Sequence, residues 1–228
     1  MTSPEKRVLF ELPESDFEGG VEFRLTYEGK LLADSQRSAE ARKARAKHKH
    51  EIRKKFHKQL KKLWESSPQL SEKAFEGGDF LIIGTDEEMK HTIPKLRNRF
   101  TRCGYEFVPL ATRNLGLLCN VDVLLLRPDP KWTIIQGNSG DIDNRVKTLF
   151  DAFRTPSRTD ELGGYAAEAD EIPFFTLLED DSLITKATME IDTLYQPVSD
   201  PPSQNDVRIV ITFRLWPSHI QVANFGFA

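Results

Sequence analysis

The hydrophobic pattern changes period several times along the chain, and each change marks an element. In "VEFRLTYEG" (21–29), Val21, Phe23, Leu25 and Tyr27 alternate with polar residues, which is the period of a half-buried strand. Over 38–65 the period lengthens. Ile52, Phe56, Leu60, Leu63 and Trp64 recur at helical spacing, and "SSPQ" ends the run. "YEFVPLAT" (105–112) and "LGLLCNVDVLLLRP" (115–128) read as strands, and the unbroken apolar run in the second predicts a central strand buried on both faces. A helix follows at about 142–154, then strands over 182–194 and 207–216. Between 71 and 104 the pattern is mixed: "DFLIIG" suits a short buried strand, and "TDEEMKHTIPKLRNRF" is broken at Pro94. The resulting order predicts an α+β fold on a mainly antiparallel or mixed sheet, in one domain over 20–228 behind a loose arm at 1–19. Residues 155–178, rich in glycine, proline and acids, are too long for an ordinary loop and predict a lid or a flexible excursion. The apolar tail 217–228 is expected either to fray or to pack on a partner.

Charge changes this picture more than composition does. The 228 residues carry a net charge of -3, which taken alone argues against a polyanionic partner. Residues 37–62, however, hold 12 Lys and Arg against two Glu, so a block of about +10 sits on a body near -13. The long basic N-terminal helix therefore predicts a nucleic-acid footprint through Arg42, Lys43, Arg45, Lys49, Arg53 and Lys54, against the plainer reading of a solvated face. His48, His50 and His57 lie on the same helix, but their spacing is poor for a zinc site. With two cysteines, no CxxC and no run long enough to cross a bilayer, a reducing cytoplasmic setting without membrane attachment is expected.

Candidate chemistry concentrates in "GDIDNRVKTLFDAF" (140–153). At about 100° per residue, Val146, Leu149, Phe150 and Phe153 form a core face. Asp143, Asn144, Lys147 and Asp151 fall opposite, with Asp141 just ahead of the first turn. Carboxylates at a helix entrance cap free N–H groups and oppose the dipole. They also suit a hard cation held against a phosphate. A second cluster, Glu179, Asp180 and Asp181, stands before the next strand, where a solvated turn is the alternative.

Together "DIDNRVKTLFDAF" and "EDDSLI" resemble the RusA family of crossover junction (Holliday junction) endodeoxyribonucleases, with their D-x-D-N-x-x-K-x-x-x-D-A motif and later D-D pair. The match is specific over about 140–153 and 178–192 and topological elsewhere, and the 155–178 segment departs from the family. The resemblance implies a homodimer that nicks branched DNA with Mg²⁺ or Mn²⁺. Asp141, Asp143 and Asp181 would be metal ligands with Asp180 as an extra, Lys147 a catalytic cation, and Asn144 and Asp151 supporting residues. Two other classes stand beside it: a nucleic-acid-binding protein that does not cut, and an interaction module using 155–178 and the tail.

Overall fold

The computed structural model describes residues 20–33, 38–66, 99–128, 142–220 and 224. The arm 1–19, Arg37, "DFLIIG", most of the stretch around Pro94, Asp141 and most of the tail lie outside them.

Five of the strands follow from alternation and β-branched content, and they fall in two sheets. In the larger, β1 (Val21–Lys30) pairs antiparallel with β7 (Asp206–Pro217), β7 pairs antiparallel with β4 (Leu117–Arg127), and β4 runs parallel to β6 (Ile184–Thr193). In the smaller, β2 (Thr101–Arg102) pairs antiparallel with β3 (Tyr105–Ala111), which runs parallel to β5 (Phe174–Leu178). The described fold is thus α+β on mixed sheets, with two parallel pairings beside three antiparallel ones. Parallel neighbours need a crossover. The stretch that carries α2 (Ile142–Phe153) and β5 supplies it between β4 and β6.

β4 is interior but not buried on both faces. Leu117, Cys119, Val121, Val123 and Leu125 are buried, whereas the residues between them are half-exposed. The second face carries a charged lattice instead. Arg214 bridges Glu22 and Asp122, and Arg208 meets Glu28. No described helix covers that side.

Helix α1 (Ala39–Ser66) lies between the two sheets. One side packs on the larger: Phe56 contacts Tyr27 and Phe153, and Phe153 meets Phe213 edge-on at 5.2 Å between centroids. The other side packs on the smaller, where Phe174 stacks on His57 at 4.4 Å and on His50 at 5.7 Å, and Trp64 contacts Phe175. The three helix histidines are core residues with satisfied nitrogens. His57 Nδ1 accepts from the Phe175 N–H at 2.9 Å, His48 Nε2 from the Leu32 N–H at 3.3 Å, and His50 Nε2 lies 3.1 Å from the Tyr105 hydroxyl.

The 155–178 segment packs on the body of the fold. Two short 3-10 turns (Thr159–Leu162 and Ala169–Glu171) press on α1, and the segment ends as β5, with Phe174 and Phe175 in the core. Leu162 is fully buried, and Tyr165 donates to Glu51 at 2.9 Å. A Cβ on Gly163 would stand 2.3 Å from the Lys47 backbone, at φ +63°, so glycine is required where the segment touches the helix. Near the other end, Asn224 is buried and its amide donates to the Leu115 carbonyl at 2.7 Å, which ties this part of the tail to its own chain.

Burial holds all three histidines below their ordinary range, and His50, beside Arg53 and Lys54 as well, falls to about 3. The folded state keeps these rings neutral, whereas the unfolded chain protonates them below about pH 6.5. Stability is therefore present above that pH and is lost as pH falls from 6.5 towards 3. For His50 alone the loss at pH 5 is about 2 kcal/mol. Urea midpoints at pH 7.5 and 5 should differ accordingly, and equal midpoints would refute the assignment of neutral buried rings.

Candidate nucleic-acid interface and the acid clusters

The sequence places Asp143 in the first turn of α2, where a carboxylate opposes the helix dipole. Asp143 and Lys147 are exposed and Asn144 is half-buried. The buried face of α2 is rotated from the expected one: Arg145, Thr148, Leu149, Ala152 and Phe153 are buried, whereas Val146 and Phe150 are only partly so. Main-chain acceptors explain the rotation. Arg145 donates to the Leu31 carbonyl and, at 2.9 Å, to Asn205 Oδ1, and the Thr148 hydroxyl donates to the Leu32 carbonyl at 3.0 Å. Apolar periodicity cannot register an arginine buried for its hydrogen bonds.

Those bonds also fix which end of the sheet Asp143 occupies. Leu31 and Asn205 adjoin the Lys30–Asp206 pair, at the end where β4 reaches Leu126. Asp181 is at the other end. It opens a 3-10 turn (Asp181–Leu183) just before Ile184, which pairs with Cys119 at the start of β4. From Cys119 to Leu126 is seven strand steps, about 23 Å. The far end of α2 gives the same answer, because Thr155, just past it, donates its N–H to the Leu178 carbonyl at 2.8 Å, close to the Glu179–Asp181 cluster. The chain thus separates Asp143 from Asp181 by more than the length of α2's exposed stripe. Mg²⁺ ligands lie about 2.0–2.1 Å from the ion, and the sheet register sets Asp143 and Asp181 towards opposite ends of β4. Among the described residues no three metal-ligating side chains converge.

Asp180 has a local role. Its carboxylate caps the turn by accepting from the Ser182 N–H at 3.1 Å and pairs with Arg113 at 3.3 Å. Hydrogen bonds from Ser182, and after them the charges of Arg113 and Arg154, hold it below the usual carboxylate range. Glu179 accepts from the Arg113 N–H at 2.9 Å.

The six basic residues expected to contact a polyanion divide into two groups. Arg53 is 2% exposed, and it donates to the main-chain carbonyls of Asp151 at 2.8 Å and Arg154 at 3.2 Å and to His50 Nδ1 at 3.2 Å. It locks α1 to α2 and is closed to a ligand, a correction that follows from its position facing the core. Lys49 pairs with Asp151, and Lys54 with Glu168 and Glu171, at 2.6 and 2.8 Å. Burial opposes the Lys54 charge, but those two glutamates outweigh it and push its pKa above the ordinary lysine value. Arg42, Lys43 and Arg45 form the second group. Arg42 and Lys43 are exposed and Arg45 is half-buried, and among the described residues no carboxylate pairs with them. The sequence missed Arg154 and Arg158, which stand across from this group. An arginine in an acid-rich segment gives no charge-run signal.

No family model, curated protein or solved structure matches the chain.

The division of the basic residues predicts opposite outcomes for two arginines on one helix. Arg53→Ala strands buried carbonyls and costs about 3 kcal/mol or more. It should lower the melting temperature by roughly 6–12 °C for a chain of this size. Arg42→Ala should leave the melting temperature within about 1 °C, as for other exposed substitutions. Calorimetry on the two variants checks both.

Proposed function

We propose that this protein binds nucleic acid through the first half of α1. One observation carries the reading: Arg42, Lys43 and Arg45 crowd one stretch of helix with no carboxylate partner among the described residues, whereas Lys49 and Lys54 farther along are held by the protein's own acids. Unpaired cations in such density repel one another, and a phosphate backbone relieves that repulsion while releasing condensed counterions. Guanidinium groups suit this partner, because their planar forks match phosphate oxygens two at a time.

A second reading, metal-dependent hydrolysis of branched DNA by a homodimer of RusA type, is favoured by the outward placement of Asp143 and Lys147 one turn apart on α2. Asp141 and Asp143 would hold Mg²⁺ or Mn²⁺, which supplies charge neutralisation at a scissile phosphate and a more acidic water. Lys147 would bind the same phosphate's oxygens, and Asn144 would orient an acid. The sheet register sets Asp181 towards the other end of β4 from Asp143, so the binding reading stands first.

One panel separates the two: four-way junction, flap, duplex, single-stranded DNA and RNA, each with Mg²⁺, Mn²⁺ or EDTA. For a binding protein, affinity falls as a power of salt concentration, Asp143→Asn leaves it unchanged and no substrate is cut. Metal-dependent nicking that disappears in Asp143→Asn would establish the nuclease instead. Salt-insensitive binding, or none, would overturn the first reading.

A further inference from the structure

The 155–178 segment, which sets this chain apart from the RusA pattern, builds a wall opposite the basic half of α1. Between them lies an open cleft of about 560 Å³. Arg42, Lys43, Arg45 and Lys49 line it from α1, residues 158–164 form the far wall, and Arg53, Asp151 and Arg154 are at its floor. Leaving aside Arg53, which is buried and closed to a ligand, six cationic side chains face it against three acidic ones.

The three acids are already paired. Asp151 is shared by Lys49 and Arg154, Glu161 pairs with Arg154 at 2.7 Å, and Asp160 with Arg158 at 3.2 Å. These pairs hold Arg154 and Arg158 in place but leave a surplus of three accessible positive charges, on Arg42, Lys43 and Arg45. Like charges are crowded at the floor. Burial first, and then the neighbouring Arg154, pull the Arg53 guanidinium down to about 10. The cleft is also closely built, because Gly163 seats the far wall against the Lys47 backbone with no room for a Cβ.

We propose that this cleft grips one strand of a nucleic acid by its phosphates, with Arg42, Lys43 and Arg45 on one side and Arg158 on the other. The proposal rests on the nucleic-acid reading above and names its substrate form. Three features select a single strand. The volume lies in the ~300–1,000 Å³ range of clefts that enclose small ligands, which suits a short stretch of one strand, whereas a duplex meets only the rim. The α1 wall has Ala39 and Ala46 between its cations, so a backbone approaches the helix closely. Arg158 is 73% exposed, which leaves a guanidinium plane for an unstacked base to lie against. An acidic peptide would find few apolar anchors here.

The cleft also points along α2. Asp151 at its floor belongs to the stripe that continues through Lys147 to Asp143, eight residues or about 12 Å along the axis. A strand leaving the floor along that stripe reaches Lys147 within a few nucleotides.

Anisotropy titrations with a labelled 12-nucleotide single strand and a duplex of equal length test this, using wild type, Arg42→Ala/Arg45→Ala, Arg158→Ala and a distant control, Lys186→Ala on β6. Unlabelled poly-glutamate serves as a competitor. We expect the single strand to bind at least tenfold tighter than the duplex. The double variant should lose tenfold or more and Arg158→Ala three- to tenfold. Each lost phosphate contact should flatten the slope of log K against log salt by ~0.7. Lys186→Ala should match wild type, and poly-glutamate should compete poorly. If Arg158→Ala binds like wild type while the double variant fails, or if the duplex binds as well as the strand, the cleft is not the site, although nucleic-acid binding stands. Efficient competition by poly-glutamate would make the cleft a peptide site. If wild type binds neither strand nor duplex, the functional reading fails together with the cleft.

Discussion

Burial of α1 between two sheets is the constraint on which the rest of this protein depends. A helix with 12 basic residues in its neighbourhood is a poor candidate for the centre of a core, yet Ile52, Phe56, Leu60 and Trp64 are nearly inaccessible to solvent. Sandwiching a helix needs two buried sides, and the sequence has apolar residues for only one and a half. Histidines complete the second side. They stack on Phe174 as flat rings and satisfy their nitrogens with Tyr105, Arg53 and the main chain, so a polar residue does the packing of an aromatic. Arg53 is buried by the same logic. Its charge is tolerated because two main-chain carbonyls and an imidazole surround it.

The acid-rich segment is the counterpart of that arrangement. Glu168 and Glu171 take up Lys54, Glu51 takes the Tyr165 hydroxyl, and Glu161 takes Arg154, so polar contacts tie the 155–178 segment to α1 and to the end of α2. In the first half of the helix Arg42, Lys43 and Arg45 keep their charge without a carboxylate partner among the described residues. An average of -3 over the chain thus conceals a surface in which opposite charges have already found each other in one region and positive charge persists in another. The distribution, and not the total, sets the partner.

The two acid clusters illustrate how far a motif reaches. D-x-D-N-x-x-K fixes the local presentation of Asp143 and Lys147, since residues four apart on a helix share a side. It says nothing of where Asp181 falls. The crossover joins β4 to a parallel β6, so β6 must begin at the end where β4 begins, and α2 lies between the two clusters.

The sequence alone determined the elements with the strongest periodicity: β1, α1, β3, β4, α2, β6 and β7 all lie within a few residues of the predicted spans, because one-sided burial writes its period into a single segment. It also determined that positive charge gathers on α1. Tertiary structure alone decided the rest. The open second face of β4, the rotation of α2 about Arg145, the burial of Arg53, the ordered 155–178 wall and the distance between Asp143 and Asp181 each depend on a partner far away in sequence. An apolar run reads the same whether one or two layers cover it, and an arginine reads the same whether it meets water or a buried carbonyl. Those distinctions exist only once the layers have met.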